Sequence, residues 1–297
     1  MNARLDLARF VRARRSVVQP EDVGLVRQPG RRVAGLRRRE VAELAGISAE
    51  YYLRIEQGRV PRPSEQVLHA LAGALRLDAT STSYMFRIAS ERPYVPEAPA
   101  ADSAERVARI LARWTHTPAY ISDPYRDIIA ANPLATVFGF GGLSAGSNQV
   151  VGLFNPRMKA SLVEWEAMTR SAVATLRRDA HPRSPRLREL LDELSSDADF
   201  VRIWERHDVS GPEDATFHID MEGAGRMPID AQNFEVRSMA GHQLTVLSAP
   251  PGTVTEAVFA RLAANLAGAS ATDAAPAAPA ASEGGTTSAS QPSAPGP

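Results

Sequence analysis

The sequence predicts an all-α helix-turn-helix domain of about five helices over residues 1–92, an α+β domain over 103–267 and a disordered tail over 268–297. Three observations predict this. Apolar residues in 1–92 recur at helical spacing and nowhere alternate with a period of two. Residues 103–267 interleave strand-prone runs with helical ones. From Gly268 onward nearly every residue is Ala, Pro, Ser, Thr or Gly. Such a segment has too little large apolar surface to offset the entropy of ordering it. Between the two domains, Pro93, Pro96 and Pro99 crowd one short stretch. Proline lacks an amide donor and restricts the residue before it, so 93–102 reads as a proline-rich linker.

In residues 1–92 the helical faces are carried by Leu5, Phe10 and Val11, by Val41, Leu44 and Ala45, by Val67, Leu68, Leu71 and Leu75, and by Tyr84, Met85 and Ile88. The most informative run is Leu36 to Gly58. One helix is expected from Arg38 to Ala45. Gly46 follows, where a positive φ carries no Cβ penalty. Ile47 supplies an apolar plug. Ser48 can cap the next helix, and Glu50 sits in its first turn, where the helix dipole favours an anion. Tyr52 and Ile55 point back to the core, and Gly58 ends the helix. Two short helices joined by a turn of three or four residues containing Gly have helix-turn-helix geometry.

Charge agrees once it is divided. The 297 residues hold 34 basic and 34 acidic side chains, a net of zero, which by itself argues against a polyanionic partner. Residues 1–92 carry 17 Arg against 10 acids, a net of +7, and residues 93–297 carry a net of −7. A basic segment joined to an acidic one points to nucleic acid at the basic end. The absence of Cys excludes disulfides, thiolate metal sites and a cysteine nucleophile. The first residues mix Arg and Asp with no continuous apolar run, and no stretch approaches the roughly 18 apolar residues of a membrane span. The expectation is a cytoplasmic protein with no membrane partner.

The run continues as Tyr51-Tyr52-Leu-Arg-Ile-Glu-Gln-Gly58-Arg-Val-Pro-Arg-Pro-Ser64-Glu-Gln-Val-Leu68 and closes with Tyr84-Met-Phe86-Arg-Ile-Ala89. This pattern, over roughly residues 20–90, resembles the MmyB-like regulators of the phage-repressor or XRE helix-turn-helix class. The resemblance implies that the second helix enters the major groove of double-stranded DNA. Ser48, Ala49, Glu50 and Arg54 would then face base edges. Arg54 suits guanine O6 and N7, and Glu50 suits cytosine N4. Tyr51 would reach a phosphate or a thymine methyl. Arg37, Arg38, Arg59 and Arg62 would flank the backbone, where contacts position the protein without reading sequence. A homodimer on two half-sites is expected with this class. For each arginine a solvated helix face is the competing role.

The acidic segment opens with Ala119 to Ala131, two strand-prone runs around the turn former Asp123-Pro124-Tyr125. Asn132-Pro133 and Asn155-Pro156 each pair a cap with a proline suited to the first helical position. A long helix is expected from about Arg157 to Ala180. Leu187, Leu190, Leu191 and Leu194 mark another, and Phe200, Ile203 and Trp204 a third. Strands are expected at Thr216–Met221, Phe234–Ala240 and Gln243–Ala249, with a hairpin at Gly241-His242. Leu262 and Leu266 belong to a last helix.

Pro118-Ala-Tyr, Ala130-Ala-Asn132-Pro, Asn155 beside Phe154, Trp165-Glu, Leu176-Arg177, Phe200 to Trp204 and His207-Asp208-Val209 are similar to the ligand-binding domain of the same family. That implies a PAS-like fold and an apolar, fatty-acyl effector held between sheet and helices, with no cofactor. The sequence departs from the family where His218 is followed by Ile219 in place of proline. Lining candidates are Tyr120, Phe138, Phe154, Trp165, Met168 and Phe200. Trp204 and Phe234 extend the set, with Asn132 as a polar member. Core packing, or helix capping for Asn132, is the competing role of each. An enzymatic reading would draw on Glu205, His207 and Asp208. The sequence lacks metalloprotease, nucleophile-elbow, P-loop and dinucleotide motifs, so a non-enzyme is expected. A DNA-binding protein fused to an enzyme domain, and an architectural binder with a structural C-terminal domain, are the alternatives.

Overall fold

The computed structural model describes residues 3–28, 30–90, 101–139 and 142–273. The N-terminal domain has five α-helices among these residues: α1 (Ala3–Val17), α2 (Arg38–Leu44), α3 (Ala49–Glu56), α4 (Glu65–Ala74) and α5 (Ala79–Ala89). A short 3-10 turn, Pro20–Val23, follows α1. The helices begin where side chains satisfy orphan amides. Ser48, Ser64 and Asp78 accept from the backbone N–H of Tyr51, Val67 and Ser81. Gly46, at φ +63°, makes the turn between α2 and α3. A different constraint acts at Gly35, where a Cβ would lie 2.3 Å from the carbonyl oxygen of Arg15.

The core of this domain is one cluster around Phe10, Val41, Tyr52, Ile55, Leu71, Leu75 and Met85. Phe10 of α1 meets Tyr84 of α5 edge to face at 5.3 Å. Leu5 and Leu44, expected on core faces, are instead exposed. Helical spacing alone put them there, and no neighbouring element among the described residues covers them.

The C-terminal domain contains α6 (Ala101–Leu111), β1 (Ala119–Ser122), β2 (Ile128–Ala131), α7 (Pro133–Phe138), α8 (Gln149–Leu153), α9 (Pro156–Ser161) and α10 (Trp165–Asp179). Then come α11 (Pro185–Leu194), α12 (Ala198–Trp204), β3 (Ala215–Met221), β4 (Gly225–Glu235), β5 (Gln243–Ser248) and α13 (Val254–Asp273). The strands form one antiparallel sheet in the order β2-β1-β5-β4-β3. One face, with Tyr120, Ile128, Phe217, Met227, Ile229 and Leu247, packs under Phe138 of α7 and Val258 and Phe259 of α13. The opposite face, with Ala119, Ile121, Ala130 and Val246, packs under Leu111 of α6. A third cluster, off the sheet, joins α8, α10, α11 and α12 through Val150, Val173, Leu176, Leu190 and Ile203. This is the α+β, PAS-like arrangement.

Several sequence expectations are corrected here. The long helix from Arg157 to Ala180 is two helices, because Leu162 is extended and bridges to Ile219 at the end of the sheet. The strand expected at Phe234–Ala240 is the end of a longer one, Gly225–Glu235, and residues 236–242 turn back to β5. Pro228 masked it, since a proline argues against a central strand. Pro228 pairs only with His218 of β3, and β5 covers β4 only from Asp230 onward, so no ladder bond is lost. The last helix runs to Asp273, six residues into the expected tail, and α6 begins at Ala101, inside the expected linker. The remainder of both segments lies outside the described residues.

The two domains dock through α1 and α5. Val209, which follows α12, is buried in the N-terminal core cluster. Val209→Ala deletes two buried methyl groups and should cost about 2 kcal/mol. Urea unfolding of the full chain should show the loss. A midpoint unchanged from the parent would mean that this side chain does not join the domains.

Candidate functional site

On α3 the structure places Ser48, Ala49, Glu50 and Arg54 at the exposed surface. The same helix turns Tyr52, Ile55 and Glu56 inward. Tyr51 is half-buried and packs against the core, so its aromatic body is held while its edge stays accessible. Arg59 and Arg62 are exposed in the segment after α3. No ion pair engages Arg39, Arg54, Arg59 or Arg62 among the described residues. Arg37 is also exposed and donates to the Gln28 side chain at 3.0 Å.

Arg38 differs from the expectation. Its Nε donates to Glu56 Oε2 at 2.5 Å, and Arg15 Nε donates to the other carboxylate oxygen at 2.5 Å. The Glu56 side chain is only 1% exposed. A carboxylate removed from water demands compensation, and two guanidiniums supply it. Arg38 therefore ties α2 to α3 in addition to lying on the basic surface. Burial alone would raise the Glu56 carboxyl, but the hydrogen bonds from Arg15 and Arg38 outweigh it and hold the group below its ordinary 4.5. A second brace lies nearby: Arg31 donates to both oxygens of Glu40, at 2.7 and 2.6 Å, and Glu40 also accepts from the Arg37 amide. Sequence reasoning missed both braces, because Arg15 and Arg31 are far from their partners along the chain.

In the C-terminal domain the candidate lining residues separate into two groups. Tyr120 and Phe138 belong to the cluster on the sheet. Phe154 and Phe200 belong to the off-sheet cluster, with Trp204 against it. Trp165 touches both clusters, and Met168 packs on the sheet side. The aromatic rings run on in sequence of contact: Trp165 to Phe154 at 5.9 Å, Phe154 to Phe200 at 5.4 Å and Phe200 to Trp204 at 5.8 Å. Lys159, the only lysine, lies 5.0 Å from the Trp165 ring and bridges Asp197 and Asp199.

Two members of the set do not fit a lining role. Asn132 has spent its hydrogen-bonding capacity. Its Nδ2 donates to the Trp114 and Thr117 carbonyls, and its Oδ1 accepts from Ala119 and Ala135 amides. It is a helix cap that also ties down β1. Phe234 is 50% exposed. It alternates with Met227, Ile229 and Ala231 of β4 and so lies on the sheet face opposite α7 and α13.

The residues weighed for acid–base chemistry sit at the domain junction. Arg177 of α10 is buried; it donates to the Trp204 carbonyl at 2.5 Å and to the Asp208 carbonyl at 3.2 Å, with its guanidinium 3.9 Å from the Trp204 ring centre. Asp208 is ringed by Arg206, Arg170 and Arg14, the last from α1. His207 adopts φ +53°, and burial followed by the nearby Arg177 and Arg9 pushes it down to about 3, so the ring is neutral. From α5, Arg87 donates to the Arg177 carbonyl at 3.1 Å and to the Arg178 carbonyl. Glu205 is exposed. These groups bind the domains together, and His218 forms a separate pair with Glu164 at 2.8 Å.

Comparison with known proteins follows this division. A family model described as a helix-turn-helix domain matches residues 6–83. A model described as the MmyB-like transcription regulator ligand binding domain matches residues 103–263, more than half of the chain. No curated protein matches. A solved structure, titled "Structure of an RNA-binding Light-Oxygen-Voltage Receptor", is similar at 10% identity with a TM-score of 0.23. The alignment covers 78% of this chain and 62% of that one, and at this level it carries no argument.

Glu56→Gln should cost about 1.5–3 kcal/mol, the range for hydrogen bonds to charged groups. The sign with pH follows from the lowered folded value. The stabilisation is present above the ordinary 4.5 and is lost as pH falls through the lower folded value. Thermal melts across that acidic range should therefore fall less steeply for Glu56→Gln than for the parent. Parallel curves would show that Glu56 carries no such linkage.

Proposed function

This chain belongs to the MmyB-like transcription regulators, and on that premise we propose that it reads a specific duplex DNA site and adjusts its grip in response to an apolar, fatty-acyl effector. The observation that carries the DNA half is the surface of α3. Ser48, Ala49, Glu50 and Arg54 stand exposed together while Tyr52, Ile55 and Glu56 anchor the same helix from below. A helix held by its buried face presents its outer face in a fixed register, which base readout needs. Arg37, Arg59 and Arg62 supply backbone contacts beside it. A symmetric homodimer would set two such helices roughly 34–36 Å apart, on half-sites one turn apart.

The effector half is supported by composition at one place. Of the seven methionines, Met158, Met168, Met221 and Met227 all pack in or against the sheet cluster, beside Trp165. Methionine is unbranched and polarizable, and it yields to shapes that branched side chains resist. A flexible apolar chain entering between α9, α10 and the β3–β4 hairpin meets side chains able to move aside. An acyl ligand needs that adaptability more than a preformed cavity.

Coupling between the halves has a physical carrier. Trp165 and Met168 lie in the first turn of α10, and Arg177 and Arg178 lie in its last. Any ligand that moves the start of α10 also moves the carbonyls that hold Arg87 of α5. The ligand shifts DNA affinity only as far as it binds the two arrangements unequally. A coupling of about 1–3 kcal/mol is the usual scale.

Selection of bound duplexes from a random pool tests this reading, and two substitutions sharpen it. Arg54→Ala should cost about 1–3 kcal/mol at one operator position and relax base preference there. An equal loss on every sequence would sink the base-reading role. Arg62→Ala should weaken all duplexes alike and lower the slope of log affinity against log salt by about 1. An unchanged slope would remove Arg62 from the phosphate contacts.

A further inference from the structure

The junction between the two domains gathers more positive charge than its carboxylates can pair. Arg14 of α1, Arg170 of α10 and Arg206 after α12 share one carboxylate, Asp208, at 3.8, 3.2 and 2.8 Å. Arg177 and Arg87 donate to main-chain carbonyls. Asp179 accepts from both Arg126 and Arg178. The acids facing Arg177 are Asp208 and Asp6, and burial raises the Asp6 carboxyl above its usual range, which weakens it as a counter-ion. Three buried donors at this junction, Arg14 Nε, Arg87 Nε and Arg170 Nε, have no hydrogen-bond partner among the described residues. A guanidinium N–H can only donate, and buried donors without acceptors are rare. The junction is short of negative charge.

That shortage meets open space at one place. A cleft of about 350 Å³ lies between α5 and the end of α10, lined by Ala79, Thr80, Ser83, Tyr84, Arg87 and Arg178. The volume is at the low end of the roughly 300–1,000 Å³ of small-molecule sites. No carboxylate lines it, and its two cations come from different domains. Arg87 lies over the Tyr84 ring, 5.4 Å from its centre, and holds the Arg177 and Arg178 carbonyls through Nη2 alone. Burial, with Arg178 nearby, lowers the Arg87 guanidinium below its ordinary value despite Tyr84 and Asp179, the mark of a charge with too little compensation. Arg178 gives Nε and Nη2 to Asp179, at 2.5 and 3.0 Å. A Cβ at Gly211 would lie 2.9 Å from the remaining Arg178 Nη1, so glycine there leaves the guanidinium its place. Ser83 is exposed, one helical turn before Arg87 on the same face of α5.

We propose that this cleft binds a small phosphorylated molecule, whose phosphoryl oxygens accept from Arg87, Arg178 and the Ser83 hydroxyl, and that the bound anion clamps the two domains together. The planar fork of arginine matches phosphoryl oxygens, and two such forks face one space here. A lone phosphate fills only part of the cleft, which leaves room for an organic body against Ala79 and Tyr84. An anion held from both domains favours the docked arrangement over any in which they part. The cleft lies apart from the apolar clusters of the C-terminal domain, and the inference stands whether or not an acyl effector binds there.

The test uses the full chain, pyrophosphate as the probe and calorimetry at constant ionic strength. The parent should bind one pyrophosphate per chain. Ser83→Glu sets a carboxylate one turn before Arg87, within reach of the same guanidiniums, and Ser83→Gln fills the same space without charge. Ser83 is exposed, so both variants should fold. Pyrophosphate should bind Ser83→Glu at least about tenfold more weakly than Ser83→Gln, the scale of one charge-assisted hydrogen bond. Arg178→Gln should weaken it by a similar factor. The clamp has its own readout: saturating pyrophosphate should raise the melting temperature of the parent, and Ser83→Glu should melt above Ser83→Gln with no ligand added. Equal affinity of the Glu and Gln variants would overturn the site, as would a parent that shows no saturable binding. If Arg62→Ala lowers the affinity as much as Arg178→Gln does, the anion sits on the basic surface around α3 and the cleft is refuted. Binding without any shift in melting temperature would refute the clamp.

Discussion

The last turn of α10 holds three attachments at once. The Arg177 side chain reaches the Trp204 and Asp208 carbonyls, the carbonyls of Arg177 and Arg178 receive Arg87 from the N-terminal domain, and Asp179 receives Arg126 from beneath the sheet. Each attachment satisfies a charged or polar group that burial has taken from water, so none can be released without a cost. The off-sheet helical cluster, the docking of Val209 into the N-terminal core and the position of α5 all follow from where this turn sits. A response to a ligand need only disturb one of the three.

The same rule governs the basic domain. Its arginine excess suggests a surface built for phosphate, yet a good share of those guanidiniums serve the fold. Arg15 and Arg38 compensate a buried glutamate, Arg31 braces Glu40, and Arg14 and Arg87 face the second domain. Around α3, Arg39, Arg54, Arg59 and Arg62 are engaged by no ion pair among the described residues. The net charge of a segment therefore overstates its electrostatic footprint, because internal pairs cancel at short range. Buried pairs of this sort are weak evidence for stability but strong evidence for specific geometry. Here the geometry is the angle between α2 and α3.

Much of the fold was legible because it is written in local chemistry. Ser48, Asn132 and Asn155 cap helices where their residue types, and a following proline at the last two, announce a helix start. Gly46 turns where a left-handed residue is required. The errors have a common cause as well. The break at Leu162 depends on a bridge to Ile219, and the true extent of β4 depends on which neighbour covers Pro228. The binding candidates show the same split. The exposed face of α3 follows from helix geometry and its expected role from the family resemblance, whereas Phe234, a lining candidate by its chemistry, lies half exposed because of its register.

From residue order alone came the helix-turn-helix, the division into basic and acidic parts, the α+β class and the family, since each depends on neighbours within a few turns or on composition. Tertiary structure decided the rest. It decided which arginines are paired inside and which stay exposed, and it committed both ends of the Asn132 amide to backbone partners from Trp114 to Ala135. The physical reason is that burial and pairing are properties of a site in space. A guanidinium or a carboxamide carries the same donors everywhere, and only the packed fold determines which acceptors they meet.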